Sequence, residues 1–125
     1  GPFTHHEMLD ASYLETFYEG DLHCMLEMFE VFIKHVSSYS ANFGAAIEAG
    51  NWDEVSALAH KLKPIFAMVG LNHKQAIMIR LEKEVGSDCP DLEQIKEGYQ
   101  EFEGLVEELL PVLKEEVIRV KNFLK

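Results

Sequence analysis

The chain has 125 residues, 47% of them hydrophobic, eight phenylalanines and a formal net charge of −11. That length and apolar content suit a single globular domain, and the acidic balance argues against nucleic-acid binding, which calls for a basic footprint. With no apolar run near the ~18 residues of a membrane span and no visible signal peptide, a cytoplasmic domain without membrane contact is expected.

Gly1-Pro2 reads as a protease-cleavage remnant, and residues 1–9 as a loose tail carrying His5 and His6, ahead of one domain over residues 10–125. A short helix is expected from about Asp10 to Tyr18, stopping at Gly20. Asp21 then caps a helix whose apolar positions Leu22, Met25, Leu26, Phe29, Phe32, Ile33 and Val36 follow a 3.6-residue period. Its continuation through "SSYSA" to Ala49 is left open by the serines, and Gly50 closes it. Asn51 opens a third helix with Glu54 three residues on, the spacing of a capping box.

A fourth helix is expected from about Asn72 to Val85, ending at Gly86, and "GSDCP" reads as a turn. From Asp91 a long fifth helix runs to the C-terminus, with a kink expected at Pro111, where the Glu107 carbonyl loses its usual donor. No strand-like alternation and no internal repeat interrupts this pattern. The fold class expected is all-α: an antiparallel four-helix bundle with an additional short N-terminal helix.

Charge is unevenly spread. Between His60 and Lys83 five bases face one acid, Glu82, which leaves that window at +4, whereas Asp91 to Glu116 carries −7. The third helix has its core stripe at Trp52, Val55, Leu58, Ala59, Leu62, Phe66 and Val69. His60 stands about 100° round the helix from Ala59, so it belongs on the surface beside Lys63. Ser56 and Ala67 flank it as small residues that leave the ring uncovered. A nearby cation disfavours a charged imidazole, and the basic window attracts an anionic group. An exposed ring of this kind suits a nucleophile that meets a phosphorylated partner.

"AHKLKPIFAMVGL" resembles the active-helix motif of histidine-containing phosphotransfer (HPt) domains, through His60, Leu62, Lys63 and Gly70. "EGDLHCMLEMFEVFI" looks like the family's upstream segment, through Gly20, Asp21, Glu27, Met28 and Phe32, and "AIEAGNWDEVSALAH" like its approach to the histidine. The resemblance spans about Tyr13 to Val85, while the fifth helix fits only in length and pattern. It implies a phosphorelay intermediate in which His60 accepts a phosphoryl group from a receiver-domain aspartate and hands it to another receiver. By the same resemblance Lys63 holds the phosphoryl oxygens, and Mg²⁺ belongs to the receiver rather than to this chain. Partners would be the receiver domains of response regulators and hybrid kinases, met by a monomer around Ser56, Lys63, Pro64 and Ala67.

Pro64 departs from the family's usual glycine or serine, so a bend after His60 is expected, with the reach of Lys63 in question. Lys61, one residue on, should face away and contribute only to steering. Gly20 and Gly70 read as structural.

No nucleotide-binding fingerprint is present, so the domain is not expected to be an enzyme in its own right. His23 and Glu27 share a helix face without further ligands to complete a metal site. Cys24 and Cys89 lie in no CxxC and read as reduced thiols. Two other readings compete: an adaptor that binds receivers without phosphotransfer, and a metal-binding bundle.

Overall fold

The computed structural model describes residues 2–125. Among these residues there is no strand, and the chain forms α1 (Ala11–Tyr18), α2 (Leu22–Glu48), α3 (Trp52–Ala67), a 3-10 turn (Asn72–Lys74), α4 (Ala76–Val85) and α5 (Leu92–Phe123). Each longer helix starts at a side-chain cap that satisfies an otherwise unpaired N–H. Asp21 accepts from the Cys24 N–H at 3.0 Å, Asn51 from Glu54 at 3.2 Å and Asp91 from Glu93 at 3.0 Å. The capping box at Asn51 is only half made, because the Asn51 N–H turns back to the Ala46 carbonyl instead of to Glu54.

The serines do not interrupt α2. Ser37 and Ser38 are exposed, while Val36, Phe43, Ala46 and Ile47 carry the buried stripe past them. The fourth helix starts later than the sequence indicates, because residues 72–74 take the tighter 3-10 form and α4 begins only at Ala76. α5 stays helical across Pro111, whose ring lies on an exposed position.

α2, α3, α4 and α5 pack in a closed ring, α2 on α3, α3 on α4, α4 on α5 and α5 on α2, with α1 laid against α2. Aromatic rings run through its centre. Phe32 meets Phe66 edge-on at 5.5 Å, Phe66 meets Phe102 at 5.8 Å, and Phe102 meets Phe43 at 5.3 Å. Contacts of this geometry add to the burial free energy of the rings themselves. Two glycines allow close approach. The Tyr99 hydroxyl, which donates to the Ser40 carbonyl at 3.0 Å, lies 2.7 Å from where a Cβ on Gly44 would be, and Leu81 lies 2.7 Å from one on Gly98.

The segment expected to be a loose tail is instead docked, while Gly1 lies outside the described residues. Glu116 of α5, 1% exposed, explains this. Its carboxylate accepts from the His6 N–H at 3.1 Å, stands 3.3 Å from His5 Nδ1 and is paired with Arg119. Arg119 also donates to the Thr4 carbonyl at 2.6 Å and lies over the Phe3 ring. Leu9 is buried, and the Asp10 N–H donates to the Gly70 carbonyl at 2.9 Å. A buried carboxylate needs such partners, and the sequence supplies them from a stretch with no periodicity.

Two predictions follow from this packing. Gly98 and Gly104 both lie inside α5, but nothing lies within 4 Å of a Cβ at Gly104. Gly104→Ala should therefore stabilise the fold by up to about 1 kcal/mol through helix propensity, whereas Gly98→Ala should destabilise it by about 1 kcal/mol or more through overpacking against Leu81. Urea denaturation of both variants checks the opposite signs.

Burial works to raise the pKa of the Glu116 carboxyl, but the contacts with His5, the His6 N–H and Arg119 outweigh it and hold the group below its ordinary 4.5. A depressed carboxyl stabilises the fold above its unfolded pKa and loses that contribution as pH falls through the folded one. Glu116→Gln should thus cost roughly 1–3 kcal/mol near neutral pH, with the gap to wild type closing below pH 4.5; denaturation across that range measures it.

Candidate functional site

On α3 the residues Val55, Leu58, Ala59, Leu62 and Phe66 are buried, which turns the next position round the helix outward. His60 occupies it, and its side chain is 79% exposed. The helix runs on through exposed Pro64 to Ala67, so no break follows the histidine, and Lys63 keeps its helical place ahead of the proline. The Lys63 carbonyl accepts a 2.7 Å hydrogen bond from Gln75 Nε2, which ties the turn around Pro64 to the segment before α4.

Lys63 is engaged rather than free. Its Nζ donates to both carboxylate oxygens of Glu82 on α4, at 2.9 and 3.2 Å. Glu82 Oε2 also lies 3.7 Å from His60 Nδ1, too long for a hydrogen bond. Sequence reasoning missed Glu82 and Gln75 as members of the site. Glu82 had left one trace, as the lone acid in the basic window; Gln75 had left none.

Lys61 is drawn to α2, where its Nζ lies 5.4 Å above the ring of Tyr39. Ser56 is half-buried one turn before His60. Ala67 is buried at 7% exposure and does not belong to the open surface expected for it. The chain reverses at Gly70, and the 3-10 turn that follows packs against α3.

The open surface lies to the other side. Met28, Val31 and Tyr39 of α2 face Ile65 of α3 and the neighbouring Met68 across a shallow apolar groove of about 170 Å³. Val31 is 45% exposed. α1 closes one end of this region, since the Tyr18 hydroxyl donates to the Met68 carbonyl at 2.6 Å and burial pushes its pKa up. The amide of Asn72 and the Tyr13 N–H hold the Asp10 carboxyl below its usual range, fixing the start of α1 against the turn after α3. Next to Tyr18, Phe17 and Tyr13 stack with ring centroids 5.7 Å apart, and Phe17 is 49% exposed.

His23 is exposed, and among the described residues no three of His, Cys, Asp or Glu gather as metal ligands would. Nor is any helix among them long and apolar enough to cross a membrane. Cys24 and Cys89 are both exposed and unbonded.

The model of one protein family, described as Hpt domain, matches residues 27–122. Neither the comparison with curated proteins nor that with solved structures returns a match. The matched stretch contains α3 with its exposed His60, the paired Lys63 and Glu82, and the residues of the apolar groove between α2 and α3. The chain belongs to the Hpt domain family, whose members carry phosphoryl groups on histidine in phosphorelays.

Proposed function

We propose that His60 is the phosphoacceptor of this domain, taking a phosphoryl group from a receiver-domain aspartate and passing it to another receiver. The observation that carries this reading is an imidazole 79% exposed on a rigid helix, with its Nδ1 turned to a carboxylate. In the forward step Nε2 attacks phosphorus, the P–O bond of the aspartyl phosphate breaks, and its electron pair returns to the aspartate carboxylate. Nδ1 keeps its proton, and the positive charge that develops on the ring faces Glu82. Lys63, one turn from His60, serves the phosphoryl oxygens.

The receiver supplies the phosphoryl group and the Mg²⁺ that screens it, so this chain is a carrier without catalytic turnover or metal of its own. It acts as a monomer in the cytoplasm, a setting that suits two exposed, unbonded cysteines. Docking uses the apolar groove of Met28, Val31 and Met68, with Ser56 and Pro64 at its histidine end. Exposed apolar side chains flanking a reactive group are the usual make-up of a binding surface.

Label transfer from a phosphorylated receiver domain tests the reading. Wild type should acquire an acid-labile, alkali-stable phosphate, and His60→Gln none. Binding of receivers by folded wild type without any label would instead identify a docking adaptor. Val31→Asp, which puts a charge into the groove without touching His60, should weaken receiver binding by about tenfold or more, measured by titration calorimetry, while phosphorylation by a small phosphoryl donor is preserved.

A further inference from the structure

The lysine best placed to hold a phosphoryl group on His60 already has a partner. Its ammonium bonds both oxygens of Glu82 at 2.9 and 3.2 Å, and the two side chains are only about a quarter exposed, at 25% and 24%. Glu82 sits between the buried anchors Leu81 and Val85 of α4, so its backbone is fixed beside the histidine. Lys63 on the same helix and Glu82 across from it are the charges at the ring; Lys61 is drawn off to Tyr39, which also has His35 beside it on α2.

We infer that Glu82 sets the direction of phosphoryl flow by making phosphorylated His60 a high-energy, short-lived donor. The inference rests on His60 being the phosphoacceptor and adds how that site is biased. Two effects raise the energy of the phosphorylated protein, and a third speeds departure of the phosphoryl group. A phosphoryl group brings close to two negative charges, and Glu82 repels them. Lys63 bonds phosphate only by giving up or sharing a charge-assisted pair that the unphosphorylated protein keeps whole. The carboxylate near Nδ1 also retains the proton there, and a ring protonated at Nδ1 is the better leaving group.

On transfer outward, a carboxylate oxygen of the receiving aspartate attacks phosphorus and the Nε2–P bond breaks. Its electron pair returns to Nε2, while the Nδ1 proton stays in place. Lys63 then recovers both bonds to Glu82, so departure of the phosphoryl group restores the pair.

The experiment phosphorylates wild type, Glu82→Gln and Glu82→Asp with phosphoramidate, a donor that needs no receiver. The half-life of each phosphohistidine is followed by ³¹P NMR, and its equilibrium with one receiver domain is measured. Glu82→Gln should lengthen the half-life and shift the equilibrium toward phosphohistidine by roughly three- to tenfold, the scale of a like-charge contact near solvent. Glu82→Asp, which keeps the charge, should stay close to wild type. The difference should shrink in about 1 M salt, where the screening length is about 3 Å.

A pair that merely staples α3 to α4 predicts the opposite, a half-life unchanged or shortened in Glu82→Gln as the site loosens. Labelled proteins with equal or shorter half-lives would overturn the inference, as would an aspartate variant as long-lived as the glutamine one. Failure of wild type to take label on His60 would remove the phosphoacceptor reading and this inference together.

Discussion

Phe66 lies between two other rings, edge-on to Phe32 of α2 at 5.5 Å and tilted against Phe102 of α5 at 5.8 Å, and this contact orients α3. A helix can turn about its axis unless large side chains hold it, and buried aromatic rings are the strongest such hold in a small core. With Phe66, Leu62, Ala59 and Val55 drawn inward, His60 has only the solvent side left to it. The outward position of His60 is thus specified by its opposite face.

Polar contacts do the complementary work at the ends of the bundle. The caps at Asp21, Asn51 and Asp91 settle where helices begin, which fixes the phase of each apolar stripe. Glu116 gathers His5, the His6 N–H and Arg119, so the first residues of the described chain are joined to the last helix. Tyr18 holds α1 to the Met68 carbonyl. α1 presents exposed Phe17, stacked on half-buried Tyr13, as an apolar surface of its own.

Much of this was legible in the sequence because it is local and periodic. The stripe on α3, the cap residues and the outward position of His60 follow from spacing along one helix, and the bundle follows from five such stripes. What stayed hidden depends on two elements meeting. Glu82 joins His60 and Lys63 only once the turn after Gly70 has laid α4 along α3, and the side chain of Gln75 reaches the Lys63 carbonyl by the same route. Ala67 has the helical phase of a surface residue yet is buried. Residues 3–9 have no periodicity to read; their order comes from a carboxylate more than a hundred residues away in the chain.

Gly70 shows how tightly that reversal is constrained. Its φ of +80° lies where side chains are disfavoured, and a Cβ there would stand 2.9 Å from Leu14 and 3.1 Å from Leu9. Asparagine tolerates the dihedral at many turns, but here the space is taken as well. Any other residue here is disfavoured twice over, once by the backbone and once by Leu14 of α1 and Leu9 packed upon it. A side chain at this position would have to displace Leu14 of α1 and Leu9 of the N-terminal segment. A relative in which this glycine has been replaced would have rebuilt the way its N-terminal segment crosses the end of the bundle.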